Sequence, residues 1–243
     1  MSDMNECTSK IWSRFEAKKQ DGSVIKLRIQ SWQLQSKDDV YEFILKHFVS
    51  GEAIHKAAGI TRNPEALKEY GELLDLHFKV APLCAEVCCV DNDGTTVDQI
   101  LGVSMTQLMT NTQKLEDITK ELDLKTAEIQ QLLHAAEVLE GYLQPHITCY
   151  NTFYFGRGLI VHPEYRKLGI ANEFIKVRKL VCIANNVPMT CAGMSAVGSQ
   201  KAAAKNNWKT FVDIPIDELE KNTGLIFEKD TILNHNIMYT TTE

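Results

Sequence analysis

The run Gly158-Leu159-Ile160-Val161-His162-Pro163-Glu164-Tyr165-Arg166-Lys167-Leu168-Gly169-Ile170-Ala171 constrains this chain more than any other segment. Tyr150 to Val161 is rich in β-formers and aromatic residues, and Pro163 closes that strand because proline cannot donate to a central ladder. From Gly169 onward, Ile170, Phe174, Val177, Leu180 and Val181 recur at helical spacing. A strand therefore passes through a short loop directly into a helix N-terminus. Free backbone N–H groups and the positive end of the helix dipole make such a junction an anion site. Gly169 allows close backbone approach to a pyrophosphate, and Arg166 and Lys167 add charge at the mouth.

The remaining pattern is mixed α and β. Val24 to Trp32 alternates apolar and polar residues and is read as the first strand. Two helices follow it, one carrying Val40, Phe43, Ile44 and Phe48 and a second over 65–80. Leu83 to Val90 and Ile100 to Met109 flank the turn signal Asp91-Asn92-Asp93-Gly94 and predict a hairpin. Between Thr112 and Leu143, Leu115, Ile118, Leu122, Ile129, Leu132, Leu133, Ala136 and Leu139 predict a helix, broken near Asp123 and ended by Gln144-Pro145. Val187 to Ala192 reads as a strand, 195–206 as a helix, and 208–214 and 236–240 as strands. Residues 1–20 are read as a polar extension and 21–243 as one domain, a length over which 44% hydrophobic residues suffice for a core.

Charge and cysteine usage narrow the function classes. A net charge of −6 provides no basic footprint for nucleic acid and weakly suits a cationic or amine substrate. Seven cysteines follow neither CxxC nor Cys/His zinc spacing, and the seven histidines show no ligand spacing, so reduced thiols and no metal are expected. Cys88, Cys89 and Cys191 read as small buried hydrophobes, which disfavours an acyl-cysteine route. No stretch approaches the ~18 apolar residues of a membrane span and 1–19 lacks a signal-peptide core, so a cytoplasmic location without membrane association is expected.

The strand–loop–helix unit, with Val161, Pro163, Tyr165 and Arg166 in register ahead of Gly169 and Ala171, resembles motif A of the Gcn5-related N-acetyltransferases. Within that superfamily the chain is most similar to insect arylalkylamine N-acetyltransferase-like proteins. The resemblance implies an α/β (α+β) fold: a mixed, largely antiparallel sheet flanked by helices, its middle strands splayed so that the pantetheine arm of acetyl-CoA lies between them. By position those strands are 155–161 and 188–192. Leu159 and Val161 would offer backbone contacts, and Arg166, Lys167, Gly169, Ile170 and Ala171 the pyrophosphate loop.

Phe48-Val49-Ser50-Gly51-Glu52-Ala53-Ile54 is similar to the family's Phe-x-x-x-Glu-Pro-Leu segment, which implies that Glu52 is the catalytic base. Ala53 departs from the usual proline. Ser195 and Ser199 fall where the family has serines assisting catalysis near the cofactor sulfur, and no tyrosine lies between Ala192 and Phe211 to act as general acid. The implied reaction is direct transfer from acetyl-CoA to a primary amine in a ternary complex, with an arylalkylamine as first expectation. A polyamine, agmatine or protein amine remains open as acceptor, as does a catalytically degenerate interaction protein. The oligomeric state is not legible in the sequence.

Overall fold

The computed structural model describes residues 10–32, 37–80, 83–114, 117, 119–228 and 234–243. Eight strands form one sheet: β1 (Ile11–Lys18), β2 (Val24–Ser31), β3 (Leu83–Val90), β4 (Gly102–Thr110), β5 (Thr152–Val161), β6 (Met189–Met194), β7 (Lys209–Pro215) and β8 (Asn234–Thr241), in the order β1-β2-β3-β4-β5-β6-β8-β7. Every neighbouring pair is antiparallel except β5 with β6. The expected mixed, largely antiparallel sheet is therefore present.

The extension read over 1–20 is corrected in its second half. Ile11–Lys18 is the edge strand, registered on β2 from Ile11 opposite Gln30 to Lys18 opposite Val24. Its own alternation carried the signal, with Ile11, Phe15 and Ala17 on one parity and Trp12, Arg14 and Glu16 on the other. Three charged side chains within eight residues mask that pattern in any composition average.

Because successive strand residues face opposite sides, each strand feeds two cores. On one face Val87, Val103, Met105, Phe153 and Ile160 join the helices α1 (Lys37–Ile44), α2 (Ala53–Ala58), α3 (Pro64–Val80) and α4 (Ala127–Ile147). Leu27, Ile29, Cys88 and Tyr154 pack on the other against Ile170, Phe174, Val177 and Val181 of α5 (Ile170–Ala184). Phe174 is fully buried, and a side chain of this size contributes about 1.5–3 kcal/mol by burial. Two short helices complete the fold: α6 (Val197–Lys205) and α7 (Ile216–Thr223).

The helix expected over 112–143 begins and ends later than its sequence pattern. Residues 115, 116 and 118, including Leu115 and Ile118, lie outside the described residues, and the helix proper starts at Ala127. Glu69 of α3 sets that start: its carboxylate accepts from the Lys125 amide at 2.8 Å, the Thr126 amide at 3.0 Å and the Thr126 hydroxyl at 2.5 Å. Pro145 does not stop the helix, which continues to Ile147. Placed in the last turn, the ring costs one backbone bond, and the buried Leu143 and Ile147 hold the final turn against the core.

Candidate active site

β5 and β6 are paired only at Tyr154–Thr190 and Phe155–Cys191 and diverge beyond them, so the expected splay is present. A β-bulge sits at the divergence. Met105 of β4 faces Gly158 and Thr106 faces Gly156, which leaves Arg157 without an opposite residue. A bulge re-aims a side chain. Gly156 is required at the junction because a Cβ there would lie 2.6 Å from the Ala192 Cβ and 2.7 Å from Arg178 Nη1. Arg178 of α5 crosses under the bulge, donating to Ser104 Oγ at 3.0 Å and to the Gly158 carbonyl at 2.8 Å. The open strands line a cavity of about 930 Å³.

Glu52 is delivered to this cavity by an irregular backbone. α1 widens into a π-helical turn over Leu45–Val49, and α2 starts at Ala53 with Glu52 as its N-cap. One carboxylate oxygen, Oε2, accepts from the amides of Ile54 at 2.9 Å and His55 at 3.1 Å and from His55 Nδ1 at 2.6 Å. The other, Oε1, accepts from Ser195 Oγ at 2.6 Å. Burial alone would push this carboxyl up, but the His55 ring, Ser195 and the His55 amide outweigh it and hold it at about 2. Its side chain is 14% exposed, and Glu52 lines the cavity. Capping replaces the φ restraint of the absent proline at 53, since α2 begins at the same point through Glu52's own hydrogen bonds.

The two serines singled out from the sequence make different hydrogen bonds. Ser195 lies before α6 and reaches Glu52, whereas Ser199 is in the first turn of α6 and donates to the Ala196 carbonyl at 2.7 Å. Both line the cavity. On its other side, Arg166 is extended, Lys167 adopts φ 66° and Gly169 φ 82°, and no side chain caps the N-terminus of α5. Leu159, Val161, Arg166 and Ala171 line the cavity. Ile170 is instead buried in the core and does not line the cavity. Lys167 and Gly169 shape the turn without lining the cavity.

Among the lining residues not singled out from the sequence are His55, Tyr70, Arg157 and His235. His55 sits three residues after Glu52, a spacing that places both on one side of a helical turn and was the available signal. Tyr70 packs edge-on to His55 with ring centroids 5.1 Å apart, and burial with the nearby Glu52 charge pushes its phenol well up. His235 of β8 is buried, both ring nitrogens lack a partner among the described residues, and burial lowers it to about 4, keeping it neutral. The candidate thiols are inert. Burial pushes Cys191, Cys88 and Cys89 up, and Cys182 to about 12, so none is a thiolate near neutral pH.

No protein-family model matches the chain, and no curated protein does. Solved structures do. One from the yellow fever mosquito Aedes aegypti, provisionally named arylalkylamine N-acetyltransferase 7, superposes with TM-score 0.83 at 18% identity, covering 99% of this chain and 98% of that one. The fold is that of the Gcn5-related N-acetyltransferases. Arylalkylamine N-acetyltransferase 2 from Aedes aegypti matches with TM-score 0.65 and 17% identity over 89% of this chain and 99% of that one. A Drosophila melanogaster polyamine N-acetyltransferase that forms N-acetylagmatine matches with TM-score 0.67 and 9% identity over 88% and 99%. In the acetyltransferase fold of this chain, the gap between β5 and β6 and the N-terminus of α5 border one cavity with Glu52 and Ser195. Among the described residues no helix is long and apolar enough to cross a membrane.

Proposed function

We propose that this chain is an amine N-acetyltransferase that moves an acetyl group from acetyl-CoA to a small primary amine by direct attack. The observation that carries this reading is the convergence of Glu52, His55 and Ser195 on the open gap between β5 and β6, in a cavity that also reaches Arg166. The residues fit the coenzyme: an uncapped helix N-terminus suits a pyrophosphate, and strand edges left unpaired by the splay suit the amides of a pantetheine arm. Bound there, acetyl-CoA supplies an activated thioester carbonyl.

An alkylamine is mostly an ammonium near pH 7 and must lose a proton before its lone pair can attack. Glu52, held at about 2 with both oxygens occupied, is a weak acceptor by itself. Its bond to His55 Nδ1 places the proton of a neutral imidazole on that nitrogen and leaves Nε2 as the acceptor. The Glu52–His55 pair thus takes the amine proton at His55 Nε2, and the carboxylate stabilises the imidazolium that results. This reading sets Glu52 one step back from the catalytic base, direct or through a water, that the resemblance implies. Ser195 Oγ has one proton, held by Glu52 Oε1, and would have to turn from that carboxylate to donate to a departing thiolate, while β5 amides beside the bulge could stabilise the oxyanion. Tyr70, Leu73, Leu74, Leu132, Leu133 and Phe155 provide an apolar wall suited to an arylalkyl or alkyl body.

A ligand selective for the folded state raises its stability by mass action, so millimolar CoA is expected to raise the melting temperature. Arg166→Glu sets negative charge beside the pyrophosphate and should weaken CoA binding about tenfold or more, while Lys10→Glu, on the edge strand side, should leave it unchanged. Calorimetric titration of CoA into the three proteins checks this. Equal affinities would show that the loop does not hold the coenzyme.

A further inference from the structure

The Arg157 side chain has no role in the acetyl transfer just described. A guanidinium carries five N–H donors and no acceptor. Arg157 uses Nε to donate to Gln107 Oε1 at 2.6 Å and Nη2 to donate to Met109 Sδ at 3.3 Å, both neutral acceptors. Its Phe155 neighbour adds only a ring face, 5.0 Å from the guanidinium carbon. The charge of Glu140 acts on it through space, yet among the described residues no carboxylate comes within the 4.0 Å of an ion pair. Burial lowers Arg157 only to about 10, so it is a cation at neutral pH.

A part-buried cation without a counter-ion is costly, and an ionisable group shifted by burial in a cavity marks a candidate functional site. Arg157 keeps some accessible surface and lines the cavity. Behind it Gln107 Oε1 is committed to Arg157, and Gln107 Nε2 and His77 Nδ1 are buried without a hydrogen-bond partner among the described residues. Burial and the Arg157 charge lower His77 to about 3, so it adds no competing cation and no acidic group. At this end of the cavity the Arg157 cation meets only neutral hydrogen-bond acceptors among the described residues.

We infer that the acceptor amine carries a carboxylate, and that Arg157, aimed by the bulge and held from behind by Gln107, is the residue that binds it. This rests on the amine acetyltransferase reading and names its substrate class. His77 stands seven residues beyond Tyr70 on α3, about 10 Å along the helix, so the carboxylate and the amine at the Glu52–His55 pair lie at separated ends of the acceptor. The fitting class is an ω-amino acid or an aminoalkyl-arene carboxylate. Plain polyamines fit poorly, because their distal cation would meet Arg157.

The test compares acids with their own primary amides, which match in shape and lack the charge. Probes are ω-amino acids of four to eight carbons and 4-(aminomethyl)benzoate, each beside its amide, with agmatine as the cationic control. Binding to the CoA-loaded protein is read by calorimetry, and kcat/KM by CoA release from acetyl-CoA. Wild type should favour at least one acid over its amide by about tenfold or more in both readouts, and Arg157→Gln should erase that preference while keeping the CoA-induced melting shift. Arg157→Lys should retain part of it. Equal binding of acid and amide across the panel, tighter binding of agmatine, or an acid preference that survives in Arg157→Gln overturns the subsite. An acid bound through Arg157 but never acetylated would sustain the subsite and sink the catalytic reading instead.

Discussion

Glu52→Gln is expected to lower turnover by about 10²-fold or more with little loss of CoA affinity, because it preserves shape and removes the charge that orients and stabilises His55. The loss should sit in kcat. His55→Gln should produce a fall of similar size, and the double variant little more, since the two groups act as one unit. The residual rate of either variant should climb with pH as solvent supplies more free amine. Steady-state kinetics on a confirmed acceptor from pH 6 to 10 decides the matter. Full activity in Glu52→Gln throughout would reduce Glu52 to a helix cap.

The same carboxylate has a stability signature that catalysis does not affect. A folded value of about 2 against an ordinary 4.5 means the unfolded chain binds the proton more readily, so the contribution is complete above pH 4.5 and is lost as pH falls toward 2. The shift corresponds to roughly 3 kcal/mol, an upper figure since solvent in the cavity screens part of it. Urea unfolding should therefore show wild type more stable than Glu52→Gln at pH 7 and the gap narrowing steadily below pH 4.5. A gap independent of pH would mean that the carboxylate is not held down in the fold.

Gly156→Ala is expected to cost about 2–3 kcal/mol and to lower the melting temperature by roughly 5–10 °C. The added Cβ would meet the Ala192 Cβ, which cannot rotate away, and Arg178, which is pinned by Ser104 and Gly158. Relief requires β5 and β6 to part further at their only paired positions, so CoA binding should weaken as well. Gly141→Ala is the matched control. It lies exposed within α4 with nothing near a new Cβ, and should instead stabilise by about 0.5–1 kcal/mol through helix propensity. Calorimetric melting of the two variants beside wild type tests both signs.

How legible each feature was depended on the range of the interactions that make it. The loop from Arg166 to Ala171 could be read directly because its parts are neighbours in the chain: a strand that must stop at Pro163, a left-handed turn at Gly169 and a helix whose first amides are free. Resemblance pointed to Glu52, but not to what surrounds it. Its link to Ser195 spans 143 residues, and its pairing with His55 depends on a helix beginning at Ala53 without the family's proline. Ser199, four residues from Ser195, looked equivalent in sequence and is turned back onto its own helix.

The sequence by itself determined the order of most strands and helices, the two-faced pattern of the core and the place of the anion-binding turn, because periodicity and local backbone preference act between near neighbours. Contacts between distant segments decided the rest. Glu69 chose where α4 begins, strand pairing drew Ile11–Lys18 into the sheet, and the one-residue mismatch between β4 and β5 turned Arg157 out of the ladder and into the cavity. A bulge leaves no mark on either strand alone. It exists only in the register between them, and that register is set by packing both faces of the sheet at once.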